Sequence, residues 1–181
     1  MVQFNLGGIT FGKPSVFKSV QYGSISIPGG NLSGTATINA VNVNNSVIIY
    51  LGSSGHSDYY AIHMARVEIT SSTQVTAYLG YSGGGYAMTI NFVVFEFYSG
   101  YIKSRQPGTI TMSSSDSGTF TINAVNTSKA VLFYSGQTQE YADNGENHAR
   151  VTLTNSTTVT AIRDAGYPYD TVVGFTVVEF Y

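Results

Sequence analysis

Along most of this chain apolar and polar residues alternate with period two, so the elements read as β-strands with one buried face. Ser24-Ile25-Ser26-Ile27 is the first such run, and residues 35–41 are the second. Val47-Ile48-Ile49-Tyr50 is continuously apolar, which suits a strand covered on both faces. Residues 66–69 put Val67 and Ile69 on one face, 75–78 follow, and 90–98, rich in Val and Phe, close the series. The same series returns at 109–112, 119–125, 131–134, 150–153, 159–162 and 172–181. No long window keeps the 3.6-residue period of a helix, so little helix is expected.

The return is a duplication. Thr37-Ile38-Asn39-Ala40-Val41-Asn42 recurs letter for letter as Thr121 to Asn126. Lys18-Ser19 recurs as Lys103-Ser104, Ala65-Arg66-Val67 as Ala149-Arg150-Val151, and Glu96-Phe97-Tyr98 as Glu179-Phe180-Tyr181. The spacing is 85 residues at Lys18, 84 at Thr37 and 83 at Glu96. Solenoid units run to roughly 50 residues, so a period this long predicts two whole domains in tandem. The expected fold is all-β, with two homologous antiparallel β-sandwiches or small barrels over 18–98 and 103–181. Residues 99–102 are a short linker that leaves the two units little independent movement. Residues 1–17 lie outside the repeat; their Phe, Leu and Ile among Gly7, Gly8 and Gly12 suit an extra strand or a docking arm.

Tight turns fall at 42–45 and 71–72, and again at 126–129 and 155–156. Longer connections fall at 28–33, 53–64 and 79–88, then at 113–117, 135–148 and 163–171. If strands alternate in direction, each set of long connections gathers at one end, as on immunoglobulin-like scaffolds that display binding loops. Those connections carry Tyr59, Tyr60, Tyr81 and Tyr86 in the first unit, and Tyr141, Tyr167 and Tyr169 in the second. Tyrosine is a rigid amphipathic contact residue that also stacks on sugar rings, so these are the candidate binding residues, with a surface glycan as candidate ligand. The competing reading has the same rings capping the sandwiches or packing on the sister unit.

Only 10% of residues are charged, and Ser, Thr, Asn and Gly fill the gap, a neutral polar surface suited to assemblies. A net charge of −2 gives no electrostatic footprint for nucleic acid. There is no cysteine, hence no disulfide and no thiolate metal site. No secretory leader or membrane-spanning apolar run is evident, so we expect a chain made in the cytoplasm and not inserted in a membrane. His56, Asp58 and His63 are close in sequence but fit no standard metal spacing, and the second unit keeps only His148. Glu140, Asp143, Asn144, Gly145 and Glu146, with Asp164 and Asp170 expected nearby, are oxygen-rich but lack the order of a calcium loop. We therefore expect neither metal nor cofactor. Arg66 and Glu96, and likewise Arg150 and Glu179, are repeated charges on apolar strands and are expected to pair across strands as structural elements. No Gly-x-Ser-x-Gly elbow occurs and nothing positions a carboxylate pair, so a non-enzymatic protein is expected.

The repeated unit as a whole has a resemblance. Each copy opens on Lys-Ser-x-Gln-x-Gly (residues 18–23 and 103–108) and continues through Thr-Ile-Asn-Ala-Val-Asn and Ala-Arg-Val. Ser-Thr-x-Val-Thr-Ala (72–77 and 156–161) and a terminal Glu-Phe-Tyr follow. This resembles small β-domains in structural proteins of tailed bacteriophages, often tail-fibre or other tail-associated proteins. The resemblance implies a virion component that contacts other virion proteins through its arm or a sandwich face, forms homo-oligomers in the particle, and displays loops to the host surface. A capsid or tail decoration protein and a free carbohydrate-binding module are the alternatives, with a glycan hydrolase a distant fourth. The chain departs from tail fibres in having no long fibrous segment.

Overall fold

The computed structural model describes residues 15–55, 64–81, 86–140, 148–164 and 169–181, with the backbone of 4–6 and 9–11. Its strands are β1 (Phe4–Leu6), β2 (Ile9–Phe11), β3 (Phe17–Ile27), β4 (Ser33–Thr37), β5 (Ser46–Gly55), β6 (Ala65–Ser71) and β7 (Gln74–Leu79). They continue as β8 (Met88–Phe97), β9 (Ile102–Met112), β10 (Ser117–Thr121), β11 (Ala130–Gln139), β12 (Arg150–Asn155), β13 (Thr158–Ile162) and β14 (Thr171–Phe180). The only helical turn among the described residues is a 3-10 turn at Val43–Asn45. The fold is all-β, sandwich-like and antiparallel throughout.

Strand order repeats along the chain. β3-β8-β5 form one row and β4-β7-β6 a second; β9-β14-β11 and β10-β13-β12 follow the same two orders. A single bridge, Gly136 opposite Arg66, joins β6 to β11 and makes one six-stranded sheet of two of these rows. β1 and β2 of the N-terminal arm pair with each other.

The period-two pattern places the cores. In the first half Ile25, Ile27, Ile90 and Phe92 face Val67, Val75 and Ala77 across the two rows. In the second, Ile110, Met112, Val173 and Phe175 face Val159 and Ala161. A third cluster crosses from one half to the other: Val47 and Phe97 pack with Ile102 and Val178, edged by Phe133 and Phe180. Each large side chain fully buried in these clusters stabilises by about 1.5–3 kcal/mol relative to exposure.

Several points differ from the sequence reading, among them strands that run into expected connections: β5 to Gly55, β9 from Ile102 and β11 to Gln139. β3 starts at Phe17 rather than Ser24, because β8 extends to Phe97 and pairs with it along its whole length. β4 stops at Thr37; beyond it Ile38 and Val41 donate their N–H groups to Thr73 and Ser72 carbonyls at 2.9 and 2.8 Å. The second half repeats this, with Ile122 and Val125 donating to Thr157 and Ser156. Finally, the run 131–134 is not covered on both faces: Val131 is 45% exposed, whereas its counterpart Val47 is fully buried.

The residues 98–101 form a tight turn, with Tyr101 N–H donating to the Tyr98 carbonyl and Gly100 at φ +91°. A turn with positive φ at its third position favours glycine there.

Candidate functional site

Two kinds of site emerge from the polar residues: a fastening duplicated in both halves, and a loop-bearing end. The fastening is built on Glu96, which lies one residue before the end of β8 and is almost fully buried. Its Oε1 accepts from Lys18 Nζ at 2.8 Å and from the Asn42 backbone N–H at 3.0 Å, and its Oε2 accepts from Ser19 Oγ at 3.2 Å. Asn42 in turn caps the 3-10 turn, accepting on its side chain from Asn44 N–H at 3.0 Å. The second half rebuilds this: Glu179 Oε1 accepts from Lys103 Nζ at 2.9 Å and Asn126 N–H at 3.0 Å.

Burial would raise the Glu96 carboxyl, but the bonds from Lys18, Asn42 and Ser19 outweigh it and hold the carboxyl below its ordinary value. Glu179 is likewise lowered, chiefly by the Lys103 bond and the Asn126 N–H. Both groups are therefore anions at neutral pH and engaged with cations.

This corrects the expected Arg66–Glu96 and Arg150–Glu179 pairs. Arg66 lies on β6 and Glu96 on β8, in different rows, while Lys18 lies on β3 directly beside β8. Arg66 pairs instead with Glu68, and its guanidinium sits 4.4 Å from the centre of the Tyr78 ring. Arg150 is exposed.

The rest of the shared motif is also structural. Gln21 clamps Asn39, donating to its carbonyl at 3.1 Å and accepting from its N–H at 2.8 Å, and Gln106 does the same to Asn123. Gly23 leaves room for the Phe92 ring, and a Cβ at Gly108 would stand 2.7 Å from Phe175. Thr70 and Thr76 share a hydroxyl hydrogen bond at 2.9 Å, echoed by Thr154 and Thr160 at 2.6 Å.

Strand registers locate the connections. Ile27 and Gly55 both stand opposite Met88, and Ser33 and Ala65 stand beside Tyr78 and Leu79, so the strand ends flanking all three long connections of the first half lie together. The second half repeats this, with Met112 and Gln139 opposite Thr171. A Cβ on Gly80 would overlap the Gln139 backbone, so the two loop-bearing ends sit side by side.

Of the candidate tyrosines, Tyr81 is half-buried against the first core, which favours packing. Tyr86 is 46% exposed and Tyr169 half-buried. Tyr59, Tyr60, Tyr141 and Tyr167 lie outside the described residues, as do His56, Asp58, His63, Asp143, Asn144, Gly145 and Glu146. The two parts of the acidic region do meet: Glu140 N–H donates to the Asp170 carbonyl at 3.1 Å. Among the described residues no three His, Asp or Glu side chains are grouped to hold a metal ion.

One residue here escaped the sequence reading. Arg163 is 3% exposed and stands where the first half has the buried Leu79. Its Nε donates to the Ser115 carbonyl at 2.9 Å, and its Nη1 donates to the Tyr169 carbonyl and Thr171 Oγ1, both at 2.7 Å. It thereby ties the connection after β9 to the one before β14. Its signal was a lone arginine at an apolar position of the repeat.

A groove of about 330 Å³ runs between the halves, walled in part by Ile48, Ile69, Arg105, Ser135 and Phe175. Its charged groups are engaged: Arg105 Nε donates to the Ser46 carbonyl at 2.6 Å and Glu68 pairs with Arg66. No helix among the described residues is long and apolar enough to cross a membrane. No family model matches this chain, and neither does any characterised protein or solved structure.

Proposed function

We propose that this chain is a non-enzymatic structural protein of a bacteriophage virion, tail-associated, made of two tandem homologous β-sandwich repeats that present loops to a host-surface glycan. One observation carries the reading: the residues shared by both halves fasten strands and turns, while the connections that differ gather at one end. A protein selected for display keeps its frame and varies its loops. The tyrosines of those connections suit stacking on sugar rings, and Tyr86 is the described one most open to solvent. The resemblance of the repeated motifs to phage tail domains supplies the setting.

A decoration protein whose faces serve only packing is the second reading, favoured by the exposed apolar residues Val20, Tyr22 and Leu51 on one sheet. Immunogold labelling of purified particles with an antibody to this protein separates the two. Gold at the tail tip is the expected result; gold spread over the head gives the decoration reading, and unlabelled particles overturn both.

A further inference from the structure

The surfaces that join the two halves have counterparts elsewhere on the chain. Within the chain, the outer face of the second half's β9-β14-β11 row seats on the β5–β6 side of the first. Arg105 reaches the Ser46 carbonyl, Val178 packs on Val47, and Gly136 lies so close to β6 that a Cβ there would strike the Ala65 carbonyl. Because strand order repeats, each of these surfaces has a counterpart on the other half, and both counterparts carry exposed residues, although Val93 and Phe95 on the central strand of the first half's face are buried and half-buried.

On the first half the counterpart of the seated face is the outer face of β3-β8-β5. Val20 (for Arg105) is 42% exposed, Tyr22 (for Pro107) 77%, and Leu51 51%, where its counterpart Ser135 is 4% exposed. Gly52, the counterpart of Gly136, keeps a positive φ of +120°, yet a Cβ there would meet nothing within 4 Å. On the second half the counterpart of the receiving side is β11–β12. Val131 is 45% exposed where Val47 is fully buried, and β12 pairs only with β13 among the described strands.

Arg105 donates to the Ser46 backbone carbonyl, whereas its counterpart Val20 offers no donor to the Ala130 carbonyl, and Thr152 stands where Glu68 does. A further difference is Asn91, which stands where Gly174 admits the methylenes of Arg66, so the incoming Arg150 meets an amide instead of an empty place.

We infer that copies of this chain associate head to tail, the β11–β12 side of one seating on the β3-β8-β5 face of the next and repeating the contact between the halves. Such a contact joins unlike surfaces, so it builds a row or ring rather than a closed two-fold pair. It extends the reading of the chain as a particle component, but concerns the purified protein alone, so its failure leaves the location on a particle undecided and the reverse holds too.

The test is sedimentation of the full chain over a wide concentration series, beside Tyr22→Asp on the face and Val131→Asp on the receiving side. Both positions are exposed, so both variants fold, which circular dichroism checks. The wild type is expected to grow in mass with concentration past the dimer. Each variant alone stays monomeric, and an equal mixture stops at a one-to-one pair, since one intact face and one intact receiving side remain between them. A wild type that sediments as a monomer throughout, growth that halts at a dimer, or variants that associate like the wild type would each overturn the inference.

Discussion

At the residue scale, the buried carboxylates decide how the halves respond to pH. Glu96 and Glu179 are held below their ordinary value, so the unfolded chain binds protons more readily than the folded one in acid. Their contribution is complete above the ordinary glutamate pKa of about 4.3 and is lost as pH falls through the lower folded values. A melting temperature that is flat from neutral pH to about 5 and drops steeply below about 4 is the expected profile in thermal scans. Glu96→Gln removes the charge but not the shape, and is expected to cost about 2 kcal/mol at neutral pH, with a shallower acid slope. An unchanged slope would show that the Lys18 bond adds nothing. The repeat of Lys18 and Glu96 was visible in the sequence, but their pairing was not, because period-two patterning gives faces and says nothing about which strands are neighbours.

At the element scale, each half interrupts one strand in the same way. The pairing of β5 with β8 shifts between Tyr50 and Gly52, and that of β11 with β14 shifts between Tyr134 and Gln137. Gly52 and Gly136 sit in these shifts with φ of +120° and +100°, a conformation that costs other residues about 1–3 kcal/mol. The bulge turns the end of β11 toward the first half, where Gln137 donates to Met64 Sδ at 3.2 Å and accepts from Ala149 N–H at 2.9 Å. Gly136→Ala is therefore expected to destabilise more than Gly52→Ala in denaturant titrations, since only the first also collides with β6. Equal losses would mean that the collision is relieved without cost. In the sequence each glycine comes just after an apolar run, at 47–51 and 131–134, which does not show that one is filled by a neighbour and the other open.

At the scale of the whole molecule, the third apolar cluster fuses what the sequence divides. Tandem repetition predicts two domains, each with its own core, yet Val47, Phe97, Ile102 and Val178 form one cluster across the boundary, and Phe97 meets Phe180 edge-on with ring centres 5.5 Å apart. Scanning calorimetry is expected to show one transition for both halves. Val178→Asp buries an unpaired charge at that boundary, at a cost of several kcal/mol, and is expected to split the transition in two. A single transition in the variant would mean that the remaining contacts suffice to couple the halves. The all-β architecture was legible because it follows from period-two patterning, and the repeated strand order was legible from motifs that recur letter for letter. The contact between the halves was not, because it depends on Arg66, Arg105 and two glycines whose roles exist only once distant strands are adjacent.

The Glu96 fastening also sets an order of events during folding. Lys18 and Glu96 stand 78 residues apart, and β8 lies between β3 and β5 in its row. Until β8 arrives, β3 and β5 share no partner and present open edges, the condition in which a nascent chain is most prone to pair with a neighbour. Closure by such a distant contact belongs to the slow class, milliseconds to seconds, of small β proteins. The first half thus stays unlatched through most of its own synthesis, and a chain interrupted before β8 is left with sticky edges rather than a smaller stable domain.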